Sequence, residues 1–334
     1  MHDVIIIGAG PVGLACAIEA GRRGLGALVI EKGGLVNSFL GYPVNLEFFS
    51  TPELLEIGGH PLATVRYKPI REEAIDYYRR VAEAEGLALR LYERVLRVEG
   101  EDGAFTVVTE KGPYEARKVV AAVGFFDVPN RLGVPGEDLP KVTHYYKEPY
   151  PYAGQRVAVI GAKNSAAKAA LDCYRNGAEV TLIHRGPALS DRIKYWIRPD
   201  LENRIREGSI AALFDTRVVA IEPDHLVLES PEGRTELPND WVLAMTGYRP
   251  DYAFLGALGI ATQDDDARTP VHHPETFETN RAGLYLAGTV CGGLRTGRWF
   301  IENGRFHAAQ IMDHIATGHV EAVDFAGRHW KTAE

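Results

Sequence analysis

Two short glycine-bearing segments carry the residue types that bind the phosphates of a dinucleotide. The first is Gly8–Gly13 (GAGPVG) and the second is Gly161–Ala166 (GAKNSA). Each follows an apolar run typical of a buried strand and precedes a stretch that indicates a helix, whose free N–H groups would face a phosphate. One such turn indicates one bound dinucleotide. Two turns in a single chain predict that one dinucleotide passes electrons to another.

The first turn has every feature of the Rossmann glycine pattern. Gly8 permits the tight turn, Gly10 lets a pyrophosphate approach the backbone, and Gly13 lets the helix pack closely on the strand. The strand before it, Val4 to Ile7, is apolar throughout. The next strand ends at Glu31, roughly 20 positions past the first glycine, where a carboxylate accepts hydrogen bonds from ribose hydroxyls. These features predict a dinucleotide site.

The second turn departs from this pattern at two positions. Lys163 stands where the second glycine is expected, and Ala166 stands where the third is expected. Alanine is an accepted variant at the third position, whereas lysine at the second is not. The Lys163 ammonium group can nevertheless lie against a phosphate. The turn therefore still predicts a dinucleotide site, in a degenerate form.

The strand after the second turn ends in a base rather than an acid. Glu179 to Ile183 is followed by His184 and Arg185. A carboxylate here would repel a 2′-phosphate, whereas an arginine binds it with two hydrogen bonds, and Arg192 and Lys194 lie just downstream. We therefore predict NADPH as the nicotinamide cofactor. The alternative is that Arg185 is only a surface charge and that NADH is used.

Composition and charge favour a cytoplasmic enzyme. The 334 residues suffice for two domains, each with its own core. A net charge of −8 and an isoelectric point near 5.8 argue against nucleic acid or an anionic membrane as the main partner. We expect no signal peptide, since a basic segment and a small-residue cleavage site are not seen near Met1, and we expect no segment that crosses a bilayer. The three cysteines, Cys16, Cys173 and Cys291, are too widely spaced for a disulfide scaffold or a zinc site.

The predicted elements repeat one plan twice. In the first half, an amphipathic helix from Arg71 to Gly86 precedes alternating segments typical of antiparallel strands. In both halves a buried strand then ends in a glycine, at Gly124 and at Gly247. The alternating segments are 89–92, 95–98, 105–108 and 113–117 in the first half and 218–221 and 225–228 in the second. A strand at 284–288 and one helix from about Ile301 to Thr317 then complete the first domain.

This order predicts an α/β fold. It consists of two Rossmann-like dinucleotide-binding domains. Each has a three-layer ββα architecture, and the second domain is inserted into the first. The predicted bounds are residues 1–127 and 246–334 for the first domain and 128–245 for the second.

The two turns, the two strand–glycine segments and Ala287-Gly288 together resemble the thioredoxin reductase superfamily of two-dinucleotide flavoproteins. The resemblance covers nearly the whole chain and implies FAD in the first domain and NADPH in the inserted one. Further segments resemble the YpdA-like bacillithiol disulfide reductase family in particular. They are Tyr42-Pro43, Phe48–Ser50, Leu139–Val142 before His144-Tyr145, Ile193–Pro199, Gly247–Tyr252, Phe300–Gly304 and Phe306-His307.

The resemblance also implies which residues contact each cofactor, and the N-terminus of the last helix is expected to stabilise negative charge on the flavin. No residue receives a catalytic role, because hydride transfer between two stacked rings needs no protein acid or base. The implied FAD residues are Gly8, Gly10, Pro11, Val12, Gly13, Glu31, Lys32, Ser38, Val95, Ala122, Gly124, Gly288, Thr289 and Ile301. The implied NADPH residues are Gly161, Lys163, Asn164, Ser165, Ala166, His184, Arg185, Lys194 and Gly247.

Three positions depart from the resemblance. Thioredoxin reductases of this type carry Cys-x-x-Cys where this chain has 144–147 (HYYK), which excludes that dithiol route. The bacillithiol disulfide reductases usually have a cysteine where Val12 stands, and valine is no nucleophile. Thr289 stands where most of the superfamily has an aspartate on the flavin ribityl chain, so we expect weaker anchoring of FAD.

The resemblance therefore favours an FAD-dependent NADPH oxidoreductase that reduces a low-molecular-weight disulfide such as oxidised bacillithiol. One alternative is a thiol-independent reductase of ferredoxin, flavodoxin or another small acceptor. A second is a redox sensor that binds both cofactors and signals to a protein partner. A homodimer or tetramer is expected for the family.

Several other residues are interpreted as structural. Cys16 lies one helical turn beyond Val12 and is predicted to be a small core residue. The pair His272-His273 and the run 264–266 (DDD) are predicted to be surface loop and turn rather than metal sites. A core or interface role is predicted for His307, and residues 328–331 (RHWK) are left without a role.

Overall fold

A computed structural model describes residues 1–44 and 46–320. Its strands are β1 (His2–Ile7), β2 (Ala27–Ile30), β3 (Leu89–Arg90), β4 (Val95–Glu101), β5 (Ala104–Thr109), β6 (Pro113–Ala121), β7 (Val128–Pro129), β8 (Val142–Thr143), β9 (Arg156–Ile160), β10 (Glu179–Ile183), β11 (Ala211–Leu213), β12 (Arg217–Ile221), β13 (His225–Ser230), β14 (Gly233–Pro238), β15 (Trp241–Ala244), β16 (Tyr248–Arg249) and β17 (Leu284–Leu286).

The helices lie between these strands and after the last of them. They are α1 (Pro11–Arg22), α2 (Asn37–Leu40), α3 (Pro52–Leu55), α4 (Arg71–Ala84), α5 (Asn164–Arg175), α6 (Arg198–Arg206), α7 (Tyr252–Ala257), α8 (Ile301–Gly304) and α9 (His307–Thr317). Two short 3-10 helices, Tyr150–Tyr152 and Gly288–Gly292, complete the regular structure of the described residues.

The described chain divides into two units, and the second interrupts the first. The first unit contains residues 1–40, 46–128 and 248–320, and the second contains 41–44 and 129–247. Each has a parallel sheet of its own, so the predicted α/β fold with two Rossmann-like units is observed.

The first unit is organised by the parallel strands β3-β2-β1-β6-β17. The central strand β1 is buried from Val4 to Ile7, as expected for a strand covered on both faces. Helix α1 begins at Pro11, whose ring fixes φ near the helical value, and it packs on β1 and β2. Strands β4, β5 and the first half of β6 form an antiparallel meander beside this core.

The second unit repeats this plan with the parallel order β11-β10-β9-β15-β8. Helix α5 packs on β9 and β10. Strands β12, β13 and β14 form a separate antiparallel sheet, whose Leu226 and Leu228 pack with Ala158 and Val242 of the parallel sheet in one apolar core. The unit therefore has the expected three layers of helix, parallel sheet and small sheet.

Two of the strand predictions differ from the structure. The segment 89–92 forms only β3, which pairs parallel to β2 rather than antiparallel to the meander. The segments predicted at 113–117 and 118–124 are one strand, β6, because its first half pairs with β5 while its second half continues between β1 and β17. Strand β14 was not predicted, since its residues Gly233–Pro238 are exposed apart from the half-buried Leu237 and carry no apolar alternation.

The predicted single helix from Ile301 to Thr317 is two helices, α8 and α9. The hydrogen-bond pattern tightens between them, with Phe306 N donating to Asn303 O (3.3 Å) and Ala308 N donating to Arg305 O (3.4 Å). These i to i−3 bonds are of the 3-10 type and interrupt the α-helix. Helix α8 is thus a single turn and the predicted continuous helix is wrong, whereas the expected stabilisation of flavin charge near Ile301–Gly304 stays a prediction.

Candidate functional site

The carboxyl ends of four parallel strands bring together the predicted residues of the first unit. Ile7 of β1 is level with Ile30 of β2 and with Ala121 of β6, and Ala121 is level with Leu286 of β17. The turns that follow these four strands therefore begin side by side at one edge of the sheet. We call these turns the first edge. Ligands of open α/β sheets bind at such an edge. The first edge contains Gly8–Gly13, Glu31-Lys32, Ala122–Gly124 and Gly288-Thr289.

The glycines of the first turn are required by close contacts. A Cβ on Gly13 would lie 2.0 Å from the carbonyl oxygen of Gly8, and one on Gly8 would lie 2.6 Å from the oxygen of Ala122. A Cβ on Gly10 would meet no atom within 4 Å. The turn is therefore closed against the strand at both ends and open in its middle, next to the N-terminus of α1. A pyrophosphate fits this arrangement.

Glu31 fastens the first turn. Its side-chain oxygens accept hydrogen bonds from Ala9 N and from Gly33 N, both at 2.9 Å. A carboxylate oxygen accepts more than one hydrogen bond, so the residue can hold the turn and still accept from a ribose hydroxyl. The neighbouring Lys32 is ion-paired with Asp127.

Three further predicted FAD residues lie on elements outside the first edge. Ser38 lies on α2 and is half-buried, whereas Val95 is buried at the start of β4. Ile301 is the half-buried first residue of α8.

Val12 fills the space between Gly288 and Gly304. A Cβ on Gly288 would lie 3.1 Å from Val12 Cγ2, and one on Gly304 would lie 3.5 Å from the same atom. Thr289 lies beside Gly124, since a Cβ there would be 3.7 Å from Thr289 Oγ1. The structure thus brings Val12, Gly124, Gly288 and Thr289 together at the first edge, and Val12 is buried within it.

All three cysteines are free and buried. Burial raises the pKa of the Cys16 and Cys291 thiols, with smaller effects from neighbouring residues. The thiolate is the reactive form of cysteine, so these side chains are poor nucleophiles. Cys16 is the core residue that the sequence predicts.

The second unit gathers its predicted residues at a corresponding edge. Ile160 of β9 is level with Ile183 of β10 and Ala244 of β15, while Leu243 of β15 is level with Thr143 of β8. The segments that follow these strands are called the second edge. It contains Gly161–Ala166, His184-Arg185, Gly247 and His144.

The second turn tolerates alanine where the first requires glycine. Ala166 is fully buried, and a Cβ on Gly161 would lie 3.3 Å from the Ala166 Cβ and 2.6 Å from the oxygen of Met245. Gly161 is therefore as constrained as Gly8, while Ala166 fits. Lys163 immediately precedes α5 and is exposed, as is Ser165 in its first turn.

Asn164 connects this turn to the basic loop downstream. Its Oδ1 accepts from Lys194 N (2.9 Å) and its Nδ2 donates to Arg192 O (3.0 Å). Ser190 N also donates to Ala162 O (3.1 Å). The loop that carries Arg192 and Lys194 is therefore held beside the turn. The sequence placed Asn164 in the site through resemblance alone and gave no sign of this clasp.

His184 and Arg185 lie close to Lys163. Burial and the positive charges of Arg185 and Lys163 lower the pKa of His184, outweighing the opposite effect of Asp215. His184 is therefore neutral near pH 7, and Arg185 is exposed. Three cationic side chains, Lys163, Arg185 and Lys194, come from segments of the second edge, which suits a multiply charged phosphate ligand.

A largely buried histidine that contacts a carboxylate stands where a dithiol would be expected. His144 Nε2 is 3.1 Å from Glu137 Oε1. Burial acts to raise the pKa of Glu137, but backbone N–H groups of Leu132 and Gly133 and the charges of Arg131 and His144 hold it below its ordinary value.

Of the other residues singled out from the sequence, those that the structure describes belong to no cluster suited to a metal ion. Within residues 1–44 and 46–320 no cluster of three or more histidine, cysteine, aspartate or glutamate residues could hold a metal ion. His273 is exposed, and Asp265 accepts from Thr269 N (2.8 Å) in a turn. His307 is fully buried, in keeping with the core role predicted for it. Residues 328–331 lie outside the described residues.

Comparison with known proteins agrees with this architecture. The family model described as pyridine nucleotide-disulphide oxidoreductase matches residues 5–288. Bacilliredoxin reductase Bdr of Bacillus subtilis is 43% identical over 94% of this chain and 98% of its own. The structure of bacillithiol disulfide reductase Bdr (YpdA) from Bacillus cereus is 40% identical, covers 95% of this chain and 99% of its own, and has a TM-score of 0.92. A ferredoxin–NADP reductase of Ignicoccus hospitalis is 28% identical over 90% of this chain and 100% of its own.

The resemblance drawn from the motifs is therefore confirmed. No helix within residues 1–44 and 46–320 is long and apolar enough to cross a membrane. The chain belongs to the pyridine nucleotide-disulphide oxidoreductases and, within them, to the family of the Bdr (YpdA) reductases, and it is accordingly an oxidoreductase that uses a flavin and NAD(P)H.

Proposed function

We propose that the chain transfers a hydride from NADPH to FAD and passes the electrons to a low-molecular-weight disulfide of the bacillithiol type. The observation that carries this proposal is the full-length similarity to two Bdr proteins, of which one is named bacillithiol disulfide reductase and the other bacilliredoxin reductase. Both turns at the sheet edges support it, since each has the contacts that a dinucleotide site needs.

FAD is assigned to the first edge. When bound, it supplies a two-electron acceptor for hydride and a donor for the disulfide. Gly10 leaves the space for the pyrophosphate, and Glu31 offers lone pairs to the ribose. Thr289 beside Gly124 offers a hydroxyl to the ribityl chain. Val12 and Gly304 are buried against each other on the α1 and α8 side of this edge.

NADPH is assigned to the second edge. The N-terminus of α5 and Lys163 would meet the pyrophosphate, while Arg185 would bind the 2′-phosphate. Lys194 is brought to the same place by the Asn164 clasp. Neutral His184 adds a hydrogen bond rather than a charge. The inserted unit, residues 129–247, is therefore proposed as the NADPH domain, and the two segments of the first unit as the FAD domain.

The disulfide would be reduced without a protein mixed disulfide. Reduction of one disulfide to two thiols takes two electrons and two protons. Val12 supplies no thiol, and burial raises the pKa of the Cys16, Cys173 and Cys291 thiols, which keeps them protonated. Electrons must therefore reach the substrate without a cysteine relay, and protons must come from other groups or water.

A second candidate is an NADPH reductase of ferredoxin, flavodoxin or another small acceptor. The observation that favours it is Val12, because such a reaction needs no thiol at that position. Full-length similarity to a ferredoxin–NADP reductase fits this candidate, although the identity of 28% is well below that to Bdr.

One experiment separates the two candidates. The purified flavoprotein is reduced anaerobically with NADPH and then mixed with bacillithiol disulfide, ferredoxin, flavodoxin or oxygen while flavin absorbance is followed. Rapid reoxidation by the disulfide supports the first proposal. Reoxidation by one-electron acceptors alone rejects it and supports the second.

The variant V12C adds a control. Cysteine is smaller than valine, so it fits between Gly288 and Gly304 without strain. If the wild type needs no thiol, V12C reduces the disulfide at a rate within about threefold of the wild-type rate. A gain of more than tenfold in V12C would show that disulfide reduction depends on a thiol at this position.

A further inference from the structure

His307 makes a hydrogen bond that reaches the first edge. Gly288 N donates to His307 Nδ1 at 3.1 Å, and both groups are buried. A backbone N–H can only donate, so Nδ1 must be the acceptor and the proton of the neutral ring must lie on Nε2. The structure thus fixes the tautomer of this histidine.

The imidazole is held rigidly in place. Its ring stacks on Phe277 with centroids 3.9 Å apart and meets the edge of Trp299 at 4.4 Å. Cys291 Sγ lies 4.0 Å from the same Nδ1 atom. His307 is the first residue of α9, which packs on α1, so its position is set by the core of the unit.

The bond fixes the backbone of Gly288, a residue whose conformation matters for the first edge. It follows the end of β17, has φ +81°, and lies against Val12. Its conformation decides where Thr289 points, and Thr289 lies beside Gly124. A change at Gly288 N would therefore be passed directly to the residues proposed to line the flavin.

We propose that His307 is a positioning residue: it holds the Gly288-Thr289 segment in the conformation that receives the flavin. The inference rests on the proposed assignment of FAD to the first edge. His307 touches neither substrate nor reacting atoms in this scheme, and its effect passes through the backbone of Gly288.

Electrostatics agree with a permanently neutral acceptor. Burial, helped by the charges of His272 and Arg298, lowers the pKa of His307 to about 3. Protonation would place a second donor opposite Gly288 N–H and break the bond. The low pKa keeps Nδ1 available as an acceptor across the physiological range.

Two substitutions separate positioning from packing. In H307N the side-chain oxygen can take the place of Nδ1 and accept from Gly288 N, but the stacked ring is lost. In H307F the ring on Phe277 is kept, but the acceptor is lost. FAD binding to the apoprotein is measured by quenching of flavin fluorescence, and apoprotein thermal unfolding is measured in parallel.

The positioning role predicts that H307F binds FAD at least tenfold more weakly than the wild type, whereas H307N stays within about threefold. The unfolding midpoint of the apoprotein should fall more in H307N, because it loses the stacked ring. If H307F binds FAD as tightly as the wild type, or H307N as weakly as H307F, His307 is only a packing residue. If the wild type itself takes up no FAD, the cofactor assignment fails instead.

A measurement on the wild type does not depend on the folding of any variant. Histidines labelled with ¹⁵N report by NMR which ring nitrogen carries the proton. The signal of His307, recognised by its loss in either variant, should show an unprotonated Nδ1 in apoprotein and holoprotein from pH 7 down to about pH 5. A proton on Nδ1 would overturn the proposal.

Discussion

The two glycine turns solve the same packing problem with different means. At the first turn, the third glycine is compulsory, because a Cβ on Gly13 would lie 2.0 Å from the oxygen of Gly8. At the second, Ala166 occupies the equivalent place and is fully buried without a clash. The second turn therefore has a wider gap between helix and strand, and its glycine pattern is relaxed for a structural reason.

The turns also differ in what fixes them. Glu31 binds the backbone of the first turn directly, and Gly10 leaves its centre open. The second turn has an exposed lysine at that centre, and Asn164 ties it to a basic loop. The first is a backbone cradle, whereas the second depends on side-chain charge. Substitutions should therefore be structural in their effect at the first turn and electrostatic at the second.

The largest effect is expected for G13A. The added methyl group meets a backbone oxygen that cannot rotate away, so α1 must move off β1. Overpacking in a rigid core costs about 1–3 kcal/mol and sometimes more, and the displaced turn should lose most of its flavin. Urea unfolding and the flavin content of the purified protein measure the two effects.

The matched control is A166G at the second turn. It removes a buried methyl group that fits, and glycine in a helix costs about 1 kcal/mol. Flavin content should be unchanged in A166G. Equal flavin loss in both variants would show that the two turns do not differ in the way their contacts indicate.

A smaller effect is expected for R185A, at the second edge. Charge-assisted hydrogen bonds contribute about 1.5–3 kcal/mol, so NADPH should bind about 10- to 100-fold more weakly while NADH binding is nearly unchanged. The ratio of kcat/KM for the two cofactors measures this. The control R217A removes the same charge from the exposed start of β12. A ratio that does not change in R185A would identify Arg185 as a surface charge.

The contrast between the turns also explains what could be predicted from sequence. Val4–Ile7, the glycines and Glu31 act locally, so their pattern alone predicts the first site. The Asn164 clasp and the Gly288–His307 bond join residues that are distant in sequence or have ordinary neighbours, and no local pattern marks them. The break between α8 and α9 was not predicted, although Gly304 at the end of α8 is a weak local signal for it.

The histidines of the two edges should differ in their pH dependence. His307 has a pKa near 3 in the fold and about 6.5 when unfolded, so the unfolded state binds more protons between these values. Stability must then rise with pH across that window. The free energy of unfolding should be about 2 kcal/mol lower at pH 5 than at pH 7 through this residue.

Urea unfolding of the wild type and H307N at pH 5, 6 and 7 isolates that contribution, since the other titrating groups are common to both. The difference between the two proteins should narrow toward pH 5. His184 is only half-buried, and burial and the neighbouring positive charges lower its pKa. We expect H184N to change the slope less than H307N does. Parallel slopes for wild type and H307N would contradict the low pKa of His307.

The smallest effect is expected for K163G, which restores the glycine pattern at the second turn. If Lys163 contributes through charge, its removal should weaken NADPH binding by less than about tenfold, because exposed ion pairs contribute about 0–1 kcal/mol. The loss should shrink as salt is raised, which titrations at two ionic strengths would detect. Tighter binding in K163G would mean that the lysine obstructs the pyrophosphate, and the second turn would then be a backbone cradle like the first.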